Sequence, residues 1–199
     1  MLLLLSRLGH EGDPQKKKKV CGISSKDEPD WESLIFLAKF IPRMCHNVNR
    51  VVYIFDPPVK EPPTDVTPTF FTTGVLSTLH QADFKAHNIL RESGYAGKIS
   101  QMPVISTLLH FDQDPLQKQP SCQRSVVIRT FITSDFMMGI PATPGNEIPI
   151  EVVLKTVTEI KKIPGISQIM YDLTSKPQEL LRTPRWGGPH NEESNDQLF

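Results

Sequence analysis

The chain has 199 residues, 22 basic and 22 acidic side chains, and a hydrophobic share of 38 %. That size holds one ordinary domain with ragged ends. The zero formal net charge excludes a global basic field, so DNA contact is expected to be indirect, local or made by a partner.

Apolar residues are sparse at both ends. Residues 1–29 read as a flexible basic arm, 30–175 as a single α+β domain, and 176–199 as a disordered polar tail. Met1–Leu5 is apolar but shorter than the roughly 7–15 residues of a leader core or the about 20 of a membrane span, so neither is expected. Lys16, Lys17, Lys18 and Lys19 form a compact cationic run. Such a run in an unstructured arm fits an acidic groove on an import receptor and points to the nucleus; the alternative is a solvated run on a cytoplasmic protein. Cys21, Cys45 and Cys122 are odd in number and form no C-x-x-C pair. They suggest a reducing compartment, with Cys45 and Cys122 as buried thiols.

Asp30 is a candidate N-cap for a helix whose apolar face is Trp31, Leu34, Ile35, Ala38 and Ile41; Pro42 should kink or end it. Val51 to Phe55 is β-branched and aromatic, as in a strand covered on both faces. Pro57, Pro58, Pro62, Pro63 and Pro68 then rule out a helix or central strand and offer an extended segment. A second helix is predicted over 74–93, with Val75, Leu79, Ala82, Ala86, Ile89 and Leu90 inward and Gly94 at its end. Strands are predicted over 102–111 and 125–136. In the latter, Val127, Arg129, Phe131 and Thr133 share one face. The strongest helical periodicity is Ile150, Val153, Leu154, Val157 and Ile160, stopped by Pro164-Gly165. Residues 166–173 form a closing strand, and no internal repeat is evident.

The order β-α-β-β-α-β suggests a four-stranded, mostly antiparallel sheet with helices packed on one face, plus an N-terminal helix.

Few constellations carry chemistry. His80, Asp83 and His87 share a helical stripe but lack a fourth metal ligand. Asp56 and Asp135 lie at strand ends, where carboxylates either catalyse or begin turns. Gly94 to Ser100 has the wrong spacing for a phosphate loop, and no G-x-S-x-G or H-E-x-x-H is present. Phe84, off its helix's apolar stripe, and the prolines at 57, 58, 62 and 63 are instead candidate partner surfaces.

Val126-Val127-Ile128-Arg129-Thr130-Phe131, Glu147 to Leu154, Pro164-Gly165-Ile166 and Tyr171-Asp172-Leu173 together resemble the transducer side of the meiotic family similar to topoisomerase VI B. The resemblance implies a B-like component that supports meiotic DNA double-strand breaks by binding the A-subunit-like DNA-cleaving protein. It carries over no ATP residue, because the chain has no Asp-x-Gly-x-Gly loop. A transducer fold is not the split β-α-β fold, and sequence order does not separate them. The expected function is therefore a non-catalytic scaffold or partner-binding subunit without a cofactor. The alternatives are an unrelated interaction module with no DNA role and an undetected metal-dependent enzyme.

Overall fold

A computed structural model describes residues 2–5, 19–55, 59, 72–107, 109, 111, 123–134 and 139–175, with residues 2–5 as backbone only. In chain order the elements are β1 (Leu2–Leu5), β2 (Lys19–Ile23), α1 (Trp31–Met44), β3 (Val48–Ile54), α2 (Thr73–Glu92), β4 (Val104–Thr107), β5 (Arg124–Ile128), β6 (Phe131–Ile132), β7 (Ile140–Pro141), α3 (Ile150–Lys161) and β8 (Ile166–Asp172). Six strands form one sheet in the order β1-β2-β3-β8-β5-β4, and β6 pairs with β7 apart from it.

The α+β class stands, but the four-stranded, mostly antiparallel sheet does not. β1–β2, β3–β8 and β4–β5 are antiparallel, whereas β2–β3 and β5–β8 are parallel. Nor is β5-α3-β8 split, since its strands are neighbours. The strands held apart are β3 and β4, which have β8 and β5 between them. The extra strands come from residues 1–29. Val20 and Cys21 are fully buried there, in an apolar segment too short to stand out behind the lysines.

The sheet is built from two equivalent halves. In each, an antiparallel strand pair is followed by a helix and a third strand parallel to the second: β1-β2-α1-β3 and β4-β5-α3-β8. The registers agree in detail. The parallel pairing shifts at the first strand residue in both, between Lys19 and Val20 and between Arg124 and Ser125. Val20 then faces Arg50 as Ser125 faces Gln168. The halves meet antiparallel along β3 and β8, the arrangement given by a local two-fold axis normal to the sheet.

All three helices lie on one face. Leu34 and Ala38 of α1, Ala82, Ala86 and Leu90 of α2, and Val153, Val157 and Ile160 of α3 share one core with Cys21, Val51, Tyr53, Val126, Ile128, Ile169 and Tyr171 of the strands. Trp31 stacks edge-on against Tyr53, with centroids 5.2 Å apart. The opposite face carries a smaller cluster of Val20, Val52, Ile54, Leu109, Val127 and Met170.

The helices begin and end for identifiable reasons. Asp30 caps α1 through the Glu32 amide, and Thr72 caps α2 through that of Val75. Gly94 (φ 79°) and Gly165 (φ 89°) take left-handed conformations after α2 and α3, where a side chain would be strained. Pro42 does not end α1, which runs to Met44. This close to the terminus its missing donor removes one hydrogen bond, and Cys45 N–H still reaches the Ile41 carbonyl at 2.8 Å. Leu154 points outward, since α3 buries Val153, Thr156, Val157 and Ile160 instead. The strand expected over 125–136 breaks at Arg129-Thr130, where Thr130 turns its hydroxyl to the Ala142 carbonyl. Cys45 is exposed and Cys21 buried, while Cys122 lies outside the described residues. Among the described residues, no helix is long and apolar enough to cross a membrane.

Candidate functional site

Alternation along the strands decides what reaches the helix-free face. Val51, Tyr53 and Phe55 point to the helices, so Arg50, Val52 and Ile54 point away. On β8, Ile169 and Tyr171 point to the helices, leaving Gln168, Met170 and Asp172 on the other side. Arg129 directly follows β5 on the same side as Val127.

Three central strands thus bring together Arg50, Asp172 and Arg129. The Asp172 side chain is only 1 % exposed. Its Oδ2 receives Arg50 Nη1 at 2.9 Å and contacts Arg129 Nε at 2.8 Å, and its Oδ1 accepts the Thr174 N–H at 2.9 Å. The Arg129 contact is an ion pair outside hydrogen-bond alignment. The Thr174 hydroxyl in turn accepts the Val51 N–H at 2.9 Å, which ties the end of β8 to β3.

The cluster carries two positive charges against one negative. Burial is the main force drawing the Arg129 pKa below its ordinary value, with Asp172 opposing it and Arg50 adding to it. A guanidinium starts so high that it stays charged at neutral pH. Its plane lies over the Phe131 ring, 4.9 Å from the centroid. Among the described residues, its two terminal nitrogens have no hydrogen-bond partner. A guanidinium fixed at Nε with its outer edge open has the geometry to take an oxyanion through two parallel hydrogen bonds.

A separate cleft of 390 Å³ opens on the helical side, lined by Phe55, Leu154, Val157, Thr158, Lys161 and Lys162. Its floor is apolar and its rim basic, and its lining includes neither a carboxylate nor a thiol.

The residues singled out from sequence do not converge on either place. Lys16, Lys17 and Lys18 lie outside the described residues, as do Pro57, Pro58, Pro62, Pro63, Asp56 and Asp135. Lys19 opens β2, its N–H bonded to the Asn47 carbonyl. Phe84 is 67 % exposed on α2, which packs on α3 and β4. His87 and Asp83 approach to 3.7 Å at the surface, and no group of three or more potential ligands that could hold a metal occurs among the described residues. Sequence reasoning missed the arginine cluster. Two signals pointed to it: an arginine within an apolar strand face, and an aspartate closing the buried run Ile166 to Tyr171.

No protein-family model matches the chain. It is similar to the glutamine-hydrolyzing GMP synthase of Dictyostelium discoideum, at 34 % identity over 192 residues covering 89 % of this chain and 26 % of that protein. It is likewise 34 % identical to a probable glutamine-hydrolyzing GMP synthase of Caenorhabditis elegans over 188 residues, 88 % of this chain and 25 % of the relative. A more distant similarity, 27 % over 179 residues, links 88 % of the chain to 27 % of a probable glutamine-hydrolyzing GMP synthase of Leptospira interrogans. The chain spans about a quarter of the length of these relatives. These similarities overturn the resemblance to the topoisomerase VI B-like family, and with it the meiotic role and the DNA-cleaving partner. They equally overturn the reading as a non-catalytic scaffold or unrelated interaction module and give the metal-dependent alternative no support, because the relatives are enzymes of nucleotide synthesis.

Proposed function

We propose that this chain works within a glutamine-hydrolysing GMP synthase, and that its arginine cluster binds the phosphate of a nucleoside monophosphate. The single observation carrying this reading is the state of Arg129: anchored to Asp172, stacked on Phe131, and open at its two terminal nitrogens. Arg50 supplies a second positive charge against the same carboxylate, so the net positive charge suits a phosphate. The similarity to enzymes named for making GMP supplies the ligand class. The contribution assigned to the cluster is to hold and orient that phosphate through Arg129 and Arg50.

Titration calorimetry on the full chain tests this. GMP should bind saturably and guanosine should not. Arg129→Gln and Arg50→Gln should each weaken GMP binding at least tenfold, in variants whose melting curves remain cooperative. Absent GMP binding, equal binding of guanosine, or GMP binding indifferent to both substitutions would overturn the proposal.

A further inference from the structure

The cleft on the helical side has an order along α3. Phe55 and Val157 are its buried floor, and Leu154, 47 % exposed, stands at its mouth as an apolar lip. Lys161 and Lys162 close it about two turns further along the helix, roughly 10 Å from Leu154 at about 1.5 Å per residue. Glu159, beside that rim, is already shared by Lys162 and Lys85. An exposed leucine alone needs no explanation. At the mouth of an apolar cleft under a cationic rim, it marks a place for a peptide that is acidic on one side and apolar at its end.

The sequence beyond Ser175 contains such a peptide. Residues 192–199 lie outside the described residues. They carry Glu192, Glu193 and Asp196 with no lysine or arginine, and then Leu198 and Phe199. In an extended chain Asp196 and Phe199 stand about 10 Å apart, which matches the separation of the lysines from Leu154. The reach is sufficient. Phe55 is bonded to Ile169 of β8, roughly 20 Å back along the chain from Ser175. The connection over 176–191 can span up to about 55 Å.

We propose that residues 192–199 fold back onto this cleft of their own chain. Leu198 and Phe199 enter between Phe55, Leu154 and Val157, and the carboxylates of Glu193 and Asp196 meet Lys161 and Lys162. The segment thereby covers the exposed leucine and neutralises the rim. Being tethered, it acts at a roughly millimolar effective concentration, so a modest intrinsic affinity keeps it seated.

Methyl and amide NMR on the full chain and on a variant lacking residues 192–199 tests this. The signals of Leu154 and Val157 should shift on deletion. A synthetic peptide of residues 190–199 should restore them saturably. The full chain should bind that peptide at least tenfold more weakly than the shortened chain, because its cleft is filled. Leu154→Ser and Lys161→Glu in the shortened chain should each weaken the peptide at least fivefold while melting stays cooperative. A peptide with Glu193→Gln and Asp196→Gln should be weakened likewise. Cleft signals unmoved by the deletion, equal peptide binding by the two chains, or binding indifferent to these substitutions would overturn the proposal. So would cleft signals of the full chain that change on dilution, since the segment would then come from a neighbouring molecule.

Discussion

Arg129 and Asp172 lie at the ends of two neighbouring parallel strands, and their charged groups meet 2.8 Å apart on the sheet face without helices. The aspartate is fully buried and answers two guanidiniums. Removing its charge leaves the two arginines facing one another across a desolvated gap. Asp172→Asn should therefore cost about 3 kcal/mol or more, in the range for breaking one side of a buried ion pair. Arg50→Gln should cost less, because Arg129 still answers the carboxylate. Urea unfolding monitored by circular dichroism gives both values. Equal stability of Asp172→Asn and the wild type would mean that the carboxylate is not anchoring the arginines.

Tyr171 joins the large sheet to the segment leading into α3. Its hydroxyl donates to the Ala142 carbonyl at 2.7 Å and is hydrogen-bonded to the Thr130 hydroxyl. Burial raises the phenol's pKa, so it remains a neutral donor over the whole working pH range. Tyr171→Phe keeps the ring and strands buried polar partners, with an expected loss of about 1–3 kcal/mol. Hydrogen exchange should show the gain in mobility around 139–148, with β8 itself little changed.

Asp30 gives stability a specific acid dependence. Its pKa in the folded protein lies below the ordinary carboxylate value, mainly through the Ser33 hydroxyl, which outweighs the opposing desolvation, with the Ser33 and Glu32 amides adding to the lowering. A lowered carboxylate pKa means that the contribution is complete above the unfolded-state value and disappears as pH falls through the folded-state value. Asp30→Asn retains a cap without the charge. The wild type should melt above this variant at neutral pH, and the gap should close in strong acid. A gap that stays constant from neutral to pH 2 would show that the charge contributes nothing.

The thiols should react unequally. Burial pushes Cys21 up to about 11, with the nearby Cys45 adding to it. A thiolate is the reactive form, so a neutral-pH alkylating reagent should find Cys21 inert and the exposed Cys45 accessible. Peptide mass spectrometry should detect label at Cys45 in the native protein and at Cys21 only after denaturation. Fast native labelling of Cys21 would mean that β2 opens locally.

The lysine run is proposed as a nuclear address. The full chain fused to a reporter too large for passive diffusion should enter the nucleus, and replacing Lys16 to Lys19 by alanine should abolish entry. Lys19 also pairs with Val48 through its backbone, which alanine preserves, so folding should be unaffected. Cytoplasmic retention of the unsubstituted fusion would exclude the proposal.

Helices were readable because their burial repeats locally: Val153, Val157 and Ile160, or Ala82, Ala86 and Ile89, declare a face within one short window. β3 was readable from the apolar run Val51 to Phe55, and β8 from Ile169-Met170-Tyr171 after the Pro164-Gly165 stop. β2 was not, since Val20-Cys21-Gly22-Ile23 is brief and follows the lysines. Sheet order was hidden for another reason: pairing is set by crossovers whose partners are far apart in the chain. The arginine cluster shares that difficulty, as its members come from positions 50, 129 and 172. The misleading topoisomerase resemblance rested on segments such as Val126 to Phe131 and Glu147 to Leu154. Their hydrophobic patterning suits any strand or helix packed in an α+β core.

The paired halves of the sheet give its helix-free face a direction. By register, Arg50 corresponds to Gln168, Arg129 to Ser24 and Asp172 to Ile54. The antiparallel seam gathers Arg50, Arg129 and Asp172 at one end and Gln168, Ser24 and Ile54 at the other. The backbone repeats itself, but the side chains do not: one pole of the face is ionic, the other neutral. At the neutral pole Gln168 spends its amide on the Phe55 carbonyl. A near-symmetric scaffold has thereby acquired a vector, and any ligand or neighbouring domain lying along this face meets two different chemistries depending on which way it points.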